Sequence, residues 1–162
     1  MIRPITKSSI RNQYPDISNT DELCGLACIA MMIDKKNHQL TIPQLYTRLG
    51  RGSAYIKGLG LVMSKVPKAL KGYGIIYLRY LPYWLIVILL KFGYVFAASI
   101  KTPQGNHIIL LYKSRPFSFP YNLPELQYID PNQAVDSCLL SMSRAEWGSI
   151  TNYRLLLTKQ VK

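Results

Sequence analysis

The stretch from Asp21 to Asp34 constrains the fold of this chain more than any other. Two acidic residues precede Cys24 and Gly25, and a run of small and apolar residues follows them. A helix with small and apolar residues on every side is expected to be buried. Thr20 or Asp21 can cap this helix, because their side-chain oxygens accept hydrogen bonds from the N–H groups of the first turn.

This placement puts Cys24 at the N-terminal end of the predicted helix. The unpaired N–H groups and the positive end of the helix dipole there favour the thiolate over the thiol. We interpret Gly25 as leaving room beside the sulfur for the backbone of another peptide. From this segment alone, however, Cys24 is better interpreted as a small buried residue without chemistry.

Two later segments change that interpretation. Gly105-Asn106-His107 leads into an apolar run, which predicts a turn followed by a buried strand with His107 at its start. A second short strand, Leu126 to Ile129, ends at Asp130, and Pro131 prevents its simple continuation. A cysteine at a helix start, followed by histidine and aspartate at strand ends, is the order of a papain-like thiol triad.

With these motifs the sequence resembles the bacteriocin-processing branch of the papain-like cysteine peptidases, whose members cut leader peptides after a double glycine. The matching pieces are Cys24-Gly25-Leu26-Ala27-Cys28, Gly105-Asn106-His107 and Asp130-Pro131. The order of the intervening elements also fits, so the likeness covers nearly the whole chain. It implies a peptidase acting on a peptide or protein substrate, with Cys24 as nucleophile, His107 as base and acid, and Asp130 orienting the histidine.

Other functions share these residues. Deamidation and transglutamination pass through the same thioester intermediate, and papain-like domains also occur in interbacterial toxins, which an acidic partner could neutralise. A hypothesis from a different class is a non-catalytic basic binding module that keeps only the groove.

The resemblance leaves one residue unassigned, the side-chain donor of the oxyanion hole. The family supplies a glutamine about six residues before the cysteine, where this chain has Ser18 and Asn19. The nearest glutamine, Gln13, lies farther back. We predict Gln13 as the donor, with Asn19 as the alternative.

Length and cysteine content narrow the class of protein. A chain of 162 residues suits one domain spanning residues 1–162. Its three cysteines have no paired spacing, so we expect neither a disulfide framework nor a zinc site, and no cofactor. Cys28 and Cys138 are expected to be structural. The N-terminus lacks a signal-peptide pattern, so we expect a cytoplasmic protein, or a domain delivered as part of a larger exported system.

Charge is distributed unevenly along the chain. The formal net charge is +12, and the span from Lys35 to Pro124 contains thirteen Lys or Arg residues and no acid. Such a field favours an acidic partner: an acidic protein, an anionic membrane face or, less favoured, nucleic acid. A solvated surface without a partner is the simplest alternative. We expect one continuous basic face, formed by Arg48, Arg51, Lys57, Lys65, Lys68 and Lys71.

The order of predicted elements indicates an α+β, papain-like fold, with N-terminal helices packed on a largely antiparallel C-terminal sheet and the cleft between them. Met1 to Asn19 is predicted to be extended and Arg51 to Gly60 to be a connection. The predicted helices are Thr41 to Gly50, Leu61 to Lys71 (kinked or shortened by Pro67), Tyr83 to Lys91 and Ser141 to Trp147. The remaining predicted strands are Ile75 to Leu78, Tyr94 to Ile100, His107 to Lys113 and Tyr153 to Leu157. The loop Ser114 to Pro124 is a candidate cleft wall.

The apolar stretch from Tyr80 to Ile100 could suggest a transmembrane helix. A spanning helix needs about 20 unbroken apolar residues, whereas Pro82, Lys91 and Gly93 divide this stretch. We therefore predict a buried helix, a turn and a strand, and no transmembrane segment.

Overall fold

A computed structural model describes residues 2–17, 23–34, 36, 40–56, 60–102, 105–114, 125–150 and 153–160. The helices are α1 (Lys7–Gln13), α2 (Leu23–Ile33), α3 (Ile42–Arg51), α4 (Val66–Ala69), α5 (Tyr83–Lys91) and α6 (Arg144–Gly148). The strands are β1 (Tyr55–Ile56), β2 (Gly60–Leu61), β3 (Ile76–Leu78), β4 (Tyr94–Thr102), β5 (Gly105–Ser114), β6 (Leu126–Ile129), β7 (Leu139–Met142) and β8 (Arg154–Lys159). Short 3₁₀ turns occupy Pro15–Ile17, Met63–Lys65 and Val135–Ser137.

Six strands form one antiparallel sheet in the order β3-β8-β4-β5-β6-β7. The central pair β4 and β5 is a hairpin whose register places Ile100 opposite His107. The β1 and β2 strands pair separately as a small antiparallel ribbon. The helical N-terminal half and the antiparallel C-terminal sheet confirm the predicted α+β fold class.

The two faces of the sheet pack against different helices. Because successive side chains of a strand point to opposite faces, Leu156 of β8 joins the core under α2, while its neighbours Leu155 and Leu157 join a second core under α5 and α6. The sheet is therefore covered on both faces.

Helix α2 lies in the larger core, as its composition predicts. Ten of its eleven residues are buried, all except Cys24. Beyond its C-terminal end, Lys36 reaches the sheet, and its ammonium group donates to the Tyr73 carbonyl at 2.6 Å and the Thr158 hydroxyl at 2.5 Å. These bonds fix that end of the helical layer against β8.

The prediction of an extended N-terminal segment is wrong. Residues Lys7–Gln13 form α1, which begins with a reciprocal capping box between Thr6 and Ser9. Ile10 on this helix is 1% exposed, so the short helix is held by one buried side chain and its cap rather than by a long apolar stripe. Its sequence, KSSIRNQ, carries too little hydrophobic periodicity to reveal it.

The other differences are local. Arg51 to Gly60 is not only a connection, because it contains β1 and the start of β2. The helix predicted from Leu61 shrinks to α4, with Pro67 tolerated in its first turn. The last helix begins later than predicted, because Ser143 caps α6 and Leu139–Met142 pair with β6 as strand β7.

Helix α5 has its predicted bounds, Tyr83–Lys91. Across the residues that the structure describes, no helix combines the length and the apolar character needed to cross a membrane.

Candidate active site

The α2 helix places Cys24 in its first turn. Helix α2 begins at Leu23, so the Cys24 backbone N–H is among those without an intrahelical partner. Its side chain is partly exposed, whereas Cys28 and Cys138 are both 0% exposed. The predicted caps, Thr20 and Asp21, lie outside the described residues.

The two cysteines of α2 both bond Ile108 of β5. The Ile108 N–H donates to the Cys24 sulfur, which is one cause of the lowered pKa of that thiol. One helical turn later, the Cys28 thiol donates to the Ile108 carbonyl at 3.6 Å. Ile108, the residue after His107, therefore positions α2 along β5.

His107 is the third residue of β5 and makes a short contact with Asp130. Its Nε2 lies 2.7 Å from Asp130 Oδ1, with the two side chains 13% and 15% exposed. Since a carboxylate only accepts, Nε2 carries a proton, and Nδ1 is the nitrogen left for the thiol. The Cys24 and His107 side chains also interact by a hydrogen bond, which contributes to the pKa shifts of both groups.

Asp130 follows β6 directly and is fixed by its neighbours. Its N–H donates to the Cys138 carbonyl at 2.9 Å, and its Oδ1 accepts from the Asn132 N–H at 3.0 Å. A side-chain hydrogen bond from Gln133 also reaches the carboxylate. The Lys7 N–H donates to the Pro131 carbonyl at 2.8 Å, so α1 supports this turn. Asp136, the next acidic residue along the chain and the other carboxylate that could orient a histidine from this segment, lies exposed in the 3₁₀ turn Val135–Ser137.

The site favours a thiolate beside an imidazolium. Burial alone would raise the pKa of Cys24, but bonds from His107 and Ile108 and the positive charges of His107 and Lys7 together lower it. Burial would lower the pKa of His107, but Asp130 and Cys24 raise it from 6.5 to about 9. Burial would raise the pKa of Asp130, and its hydrogen bonds to His107 and Asn132 lower it. The Asp130 carboxylate therefore stabilises the charged form of His107, and charged His107 stabilises the thiolate of Cys24.

Asn132 was missed by sequence reasoning. Its side-chain Nδ2 lies 3.2 Å from His107 Nδ1, where it donates to the neutral ring, and beside the imidazolium the amide presents its oxygen instead. Its backbone N–H donates to Asp130 Oδ1. The available signal was an Asx-type turn following the Asp-Pro pair. Lys7 and Ile108 were missed as well, because their roles depend on contacts between distant segments.

The structure does not bring Gln13 to Cys24, so that oxyanion prediction is wrong. Gln13 is exposed and lines a groove with Ala30, Ile33 and Asp34, beside the opposite end of α2. Nine residues of helix separate Cys24 from Ile33, which corresponds to about 13 Å at 1.5 Å per residue. The alternative donor, Asn19, lies outside the described residues, as do Lys57 and the loop residues 115–124.

The interpretation of Gly25 is also corrected. A Cβ at Gly25 would lie 2.8 Å from Leu61 Cβ and 3.1 Å from Ile108 Cδ1. The space that glycine leaves is filled by the protein's own β2 and β5 strands, so Gly25 allows close packing of α2 and offers no room for another backbone.

No group of three or more His, Cys, Asp or Glu side chains suited to a metal ion occurs within the described ranges.

Comparison with known proteins supports the fold. No protein-family model and no curated protein sequence matches this chain. Among solved structures, the peptidase domain of Streptococcus ComA, a bifunctional ABC transporter involved in a quorum-sensing pathway, matches with a TM-score of 0.58 at 16% identity. That match covers 86% of this chain and 93% of the ComA domain. This chain has the fold of a C39 peptidase.

A second structure gives the same result. A protein described as a C39-like peptidase from Bacillus anthracis matches with a TM-score of 0.55 at 13% identity, over 88% of this chain and 91% of the other. At such identities the shared property is the C39 peptidase fold, as the resemblance of the sequence motifs implied.

Proposed function

We propose that this protein is a cysteine peptidase that acts through Cys24, His107 and Asp130. One observation carries the proposal: His107 Nε2 lies 2.7 Å from Asp130 Oδ1, and the same histidine is close enough to the Cys24 thiol to lower its pKa. The C39 peptidase fold of the neighbours agrees with it.

The geometry supports a two-step acyl transfer. The Cys24 thiolate attacks the scissile carbonyl carbon, and the His107 imidazolium gives its Nδ1 proton to the leaving amine as the C–N bond breaks. The product is a thioester on Cys24. Neutral His107 then takes a proton from water, whose oxygen attacks the thioester, and Cys24 leaves as the thiolate. Asp130 holds the ring and stabilises its charged form throughout.

The oxyanion of each tetrahedral intermediate requires preorganised donors. The Cys24 N–H, which has no partner within α2 because it lies in the first turn, is the backbone candidate. With Gln13 at the other end of the helix, we propose Asn19 as the side-chain donor. Replacing Asn19 by alanine should lower kcat by about 10²–10³ if it supplies this bond.

For the substrate we propose a peptide cut after Gly-Gly, which rests on the motif resemblance. The test is incubation of the protein with peptides that contain Gly-Gly followed by varied residues, with products identified by mass spectrometry. Two fragments, one ending in Gly-Gly and the other beginning with the residue that follows it, support the proposal. Peptides in which Ala-Ala replaces Gly-Gly form the matched control, and equal cutting of both sets would remove the proposed specificity.

Cys24→Ala and Cys28→Ala separate the chemistry from the fold. Cys24→Ala should abolish cleavage, whereas Cys28→Ala should keep it at reduced stability. Conversion of glutamine to glutamate, or joining of glutamine to an amine, without backbone cleavage would instead identify a deamidase or transglutaminase with the same nucleophile. Cleavage that survives in Cys24→Ala would contradict the proposed site.

A further inference from the structure

Four cationic side chains surround one open cavity between the C-terminal half of α3 and the segment that enters α4. Its volume is about 600 Å³. The polar lining consists of Arg48, Arg51, Ser53, Ser64, Lys65 and Lys68. Four of the six residues of the predicted basic face thus meet around a concave surface, and no acid of the described residues lines it.

The walls of this cavity are held in fixed positions. The Arg48 guanidinium donates to the Ala69 carbonyl from Nε at 3.1 Å and to the Lys71 carbonyl from Nη2 at 3.2 Å. It also lies over the Tyr73 ring, 5.3 Å from the centroid. At the end of α3, a Cβ on Gly52 would lie 2.5 Å from Ala69 Cβ. The two sides are therefore in direct contact, and Arg48 is held in place between them.

The positive charge of this cavity is not neutralised by nearby acids. No ion pair joins its four cations to an acidic residue in the part of the chain that the structure describes. The acid-free span Lys35 to Pro124 includes every residue of the lining. Four like charges around one concave surface repel each other, and a bound anion would relieve that repulsion.

We propose that this cavity is a binding site for the phosphoryl group of a small ligand, separate from the Cys24 site. Guanidinium and ammonium groups together with two serine hydroxyls supply many donors, which suits an anion with three or more acceptor oxygens better than a carboxylate with two. Arg48 already donates to the carbonyls of Ala69 and Lys71. The residues available to the ligand are therefore Arg51, Lys65, Lys68 and the serines.

The shape of the site favours a small ligand over a macromolecule. Pockets for small molecules have volumes of about 300–1,000 Å³, which includes this cavity. A duplex or a folded protein would need a contact surface much larger than the eight residues that line this cavity.

The test is calorimetric titration of the full chain with pyrophosphate and with inorganic phosphate at fixed ionic strength. The Lys65→Gln/Lys68→Gln variant removes two exposed cations of the cavity. The control variant, Lys91→Gln/Arg144→Gln, removes two exposed cations from α5 and α6 on the other face of the sheet. The cavity variant should raise the Kd for pyrophosphate by about tenfold or more, since each charge-assisted bond contributes strongly, and the control variant should leave it nearly unchanged. Ser64→Ala, which alters no charge, should weaken binding by a smaller factor.

A second experiment distinguishes a lipid headgroup from a soluble ligand as the source of the phosphoryl group. Binding to vesicles that contain a phosphoinositide, with release by pyrophosphate, would support the site and identify a lipid headgroup. Pyrophosphate binding without vesicle binding would support a soluble ligand. Equal weakening in the two double variants, or no binding by the unmodified chain, would overturn the proposal. So would tighter binding of a glutamate-rich peptide or an oligonucleotide than of pyrophosphate.

Discussion

At the scale of single residues, Asp130 shows how much of the site depends on one side chain. It accepts hydrogen bonds from His107, from the Asn132 backbone and from Gln133, so its charge and position are both fixed. The imidazolium that we propose as the acid is stabilised mainly by this carboxylate, because its hydrogen bond is the largest favourable contribution to the raised pKa of His107.

We therefore expect Asp130→Asn to lower kcat/KM by orders of magnitude with little change in Tm; the corresponding change in a serine triad costs about 10⁴. Asparagine keeps the shape but cannot balance the imidazolium charge. Asp136→Asn is the matched control, since Asp136 is exposed in a neighbouring turn, and it should leave the rate unchanged. Comparable losses in both variants would refute the assignment of Asp130.

The paired pKa shifts predict the pH dependence of Cys24. Because the pKa of the thiol is lowered, iodoacetamide should alkylate Cys24 at a pH where Cys28, whose pKa burial raises well above the ordinary value, does not react. Removing His107 leaves burial unopposed by its bond and charge. His107→Ala should therefore shift the midpoint of alkylation to higher pH, as followed by peptide mapping.

The same shifts set the alkaline limit of activity. His107, with a pKa of about 9, keeps its proton below that pH and loses it above. Since the leaving amine needs this proton, kcat/KM should fall as pH rises through about 9. A profile that stays flat well beyond that pH, measured at constant ionic strength, would show that His107 is not the acid.

At the scale of elements, the site depends on how closely α2 approaches two strands. Gly25 allows Leu61 of β2 and Ile108 of β5 to come within the radius that a methyl group would occupy. The same Ile108 is bonded by both cysteines of α2. The position of the nucleophile is therefore a property of the packing of the helix on the sheet.

Gly25→Ala tests this dependence. The added methyl group meets Leu61 Cβ, which cannot rotate away, so overpacking should destabilise the protein by about 1–3 kcal/mol and slow Cys24 chemistry by displacing α2. Gly50→Ala in α3 is the control, because no atom of the described residues lies within 4 Å of the place its methyl group would take, and it should stabilise by about 0.4–1 kcal/mol. Denaturant unfolding measures both, and a neutral Gly25→Ala would contradict the packing argument.

At the scale of the whole molecule, one sheet carries two cores. The core under α2 supports the candidate active site, and the core under α5 and α6 covers the other face. Because both cores are built on the same strands, we propose that residues 1–162 unfold as a single domain.

Adjacent residues of β8 test that proposal. Leu155 and Leu156 are each 0% exposed, on opposite faces of the strand. Replacing either by alanine should destabilise by about 2–5 kcal/mol and shift one common transition, followed by both fluorescence and circular dichroism. Two transitions, each sensitive to only one of the substitutions, would show separate units.

Several elements could be predicted because their signal is local. The bounds of α5 and β6 follow from Pro82, Gly93 and Pro131, which act on the residues beside them. Helix α1 and strand β7 could not be predicted in this way. The first depends on a capping box and on Ile10 meeting a distant core, and the second depends on pairing with β6.

The sequence by itself determined the nature of the reactive groups: a cysteine in the first turn of a buried helix, a histidine early in a buried strand and an aspartate where proline ends another. These follow from hydrophobic patterning and helix and strand termination, which act within a few residues. Only the tertiary structure decided which groups meet. It brings His107 to Asp130 and leaves Gln13 at the far end of α2. It also fills the space at Gly25 with Leu61. Around one cavity it places four cations: Arg48, Arg51, Lys65 and Lys68. Those contacts join residues far apart in the chain, and their distances are set by the packing of helices on a sheet, which no local pattern encodes.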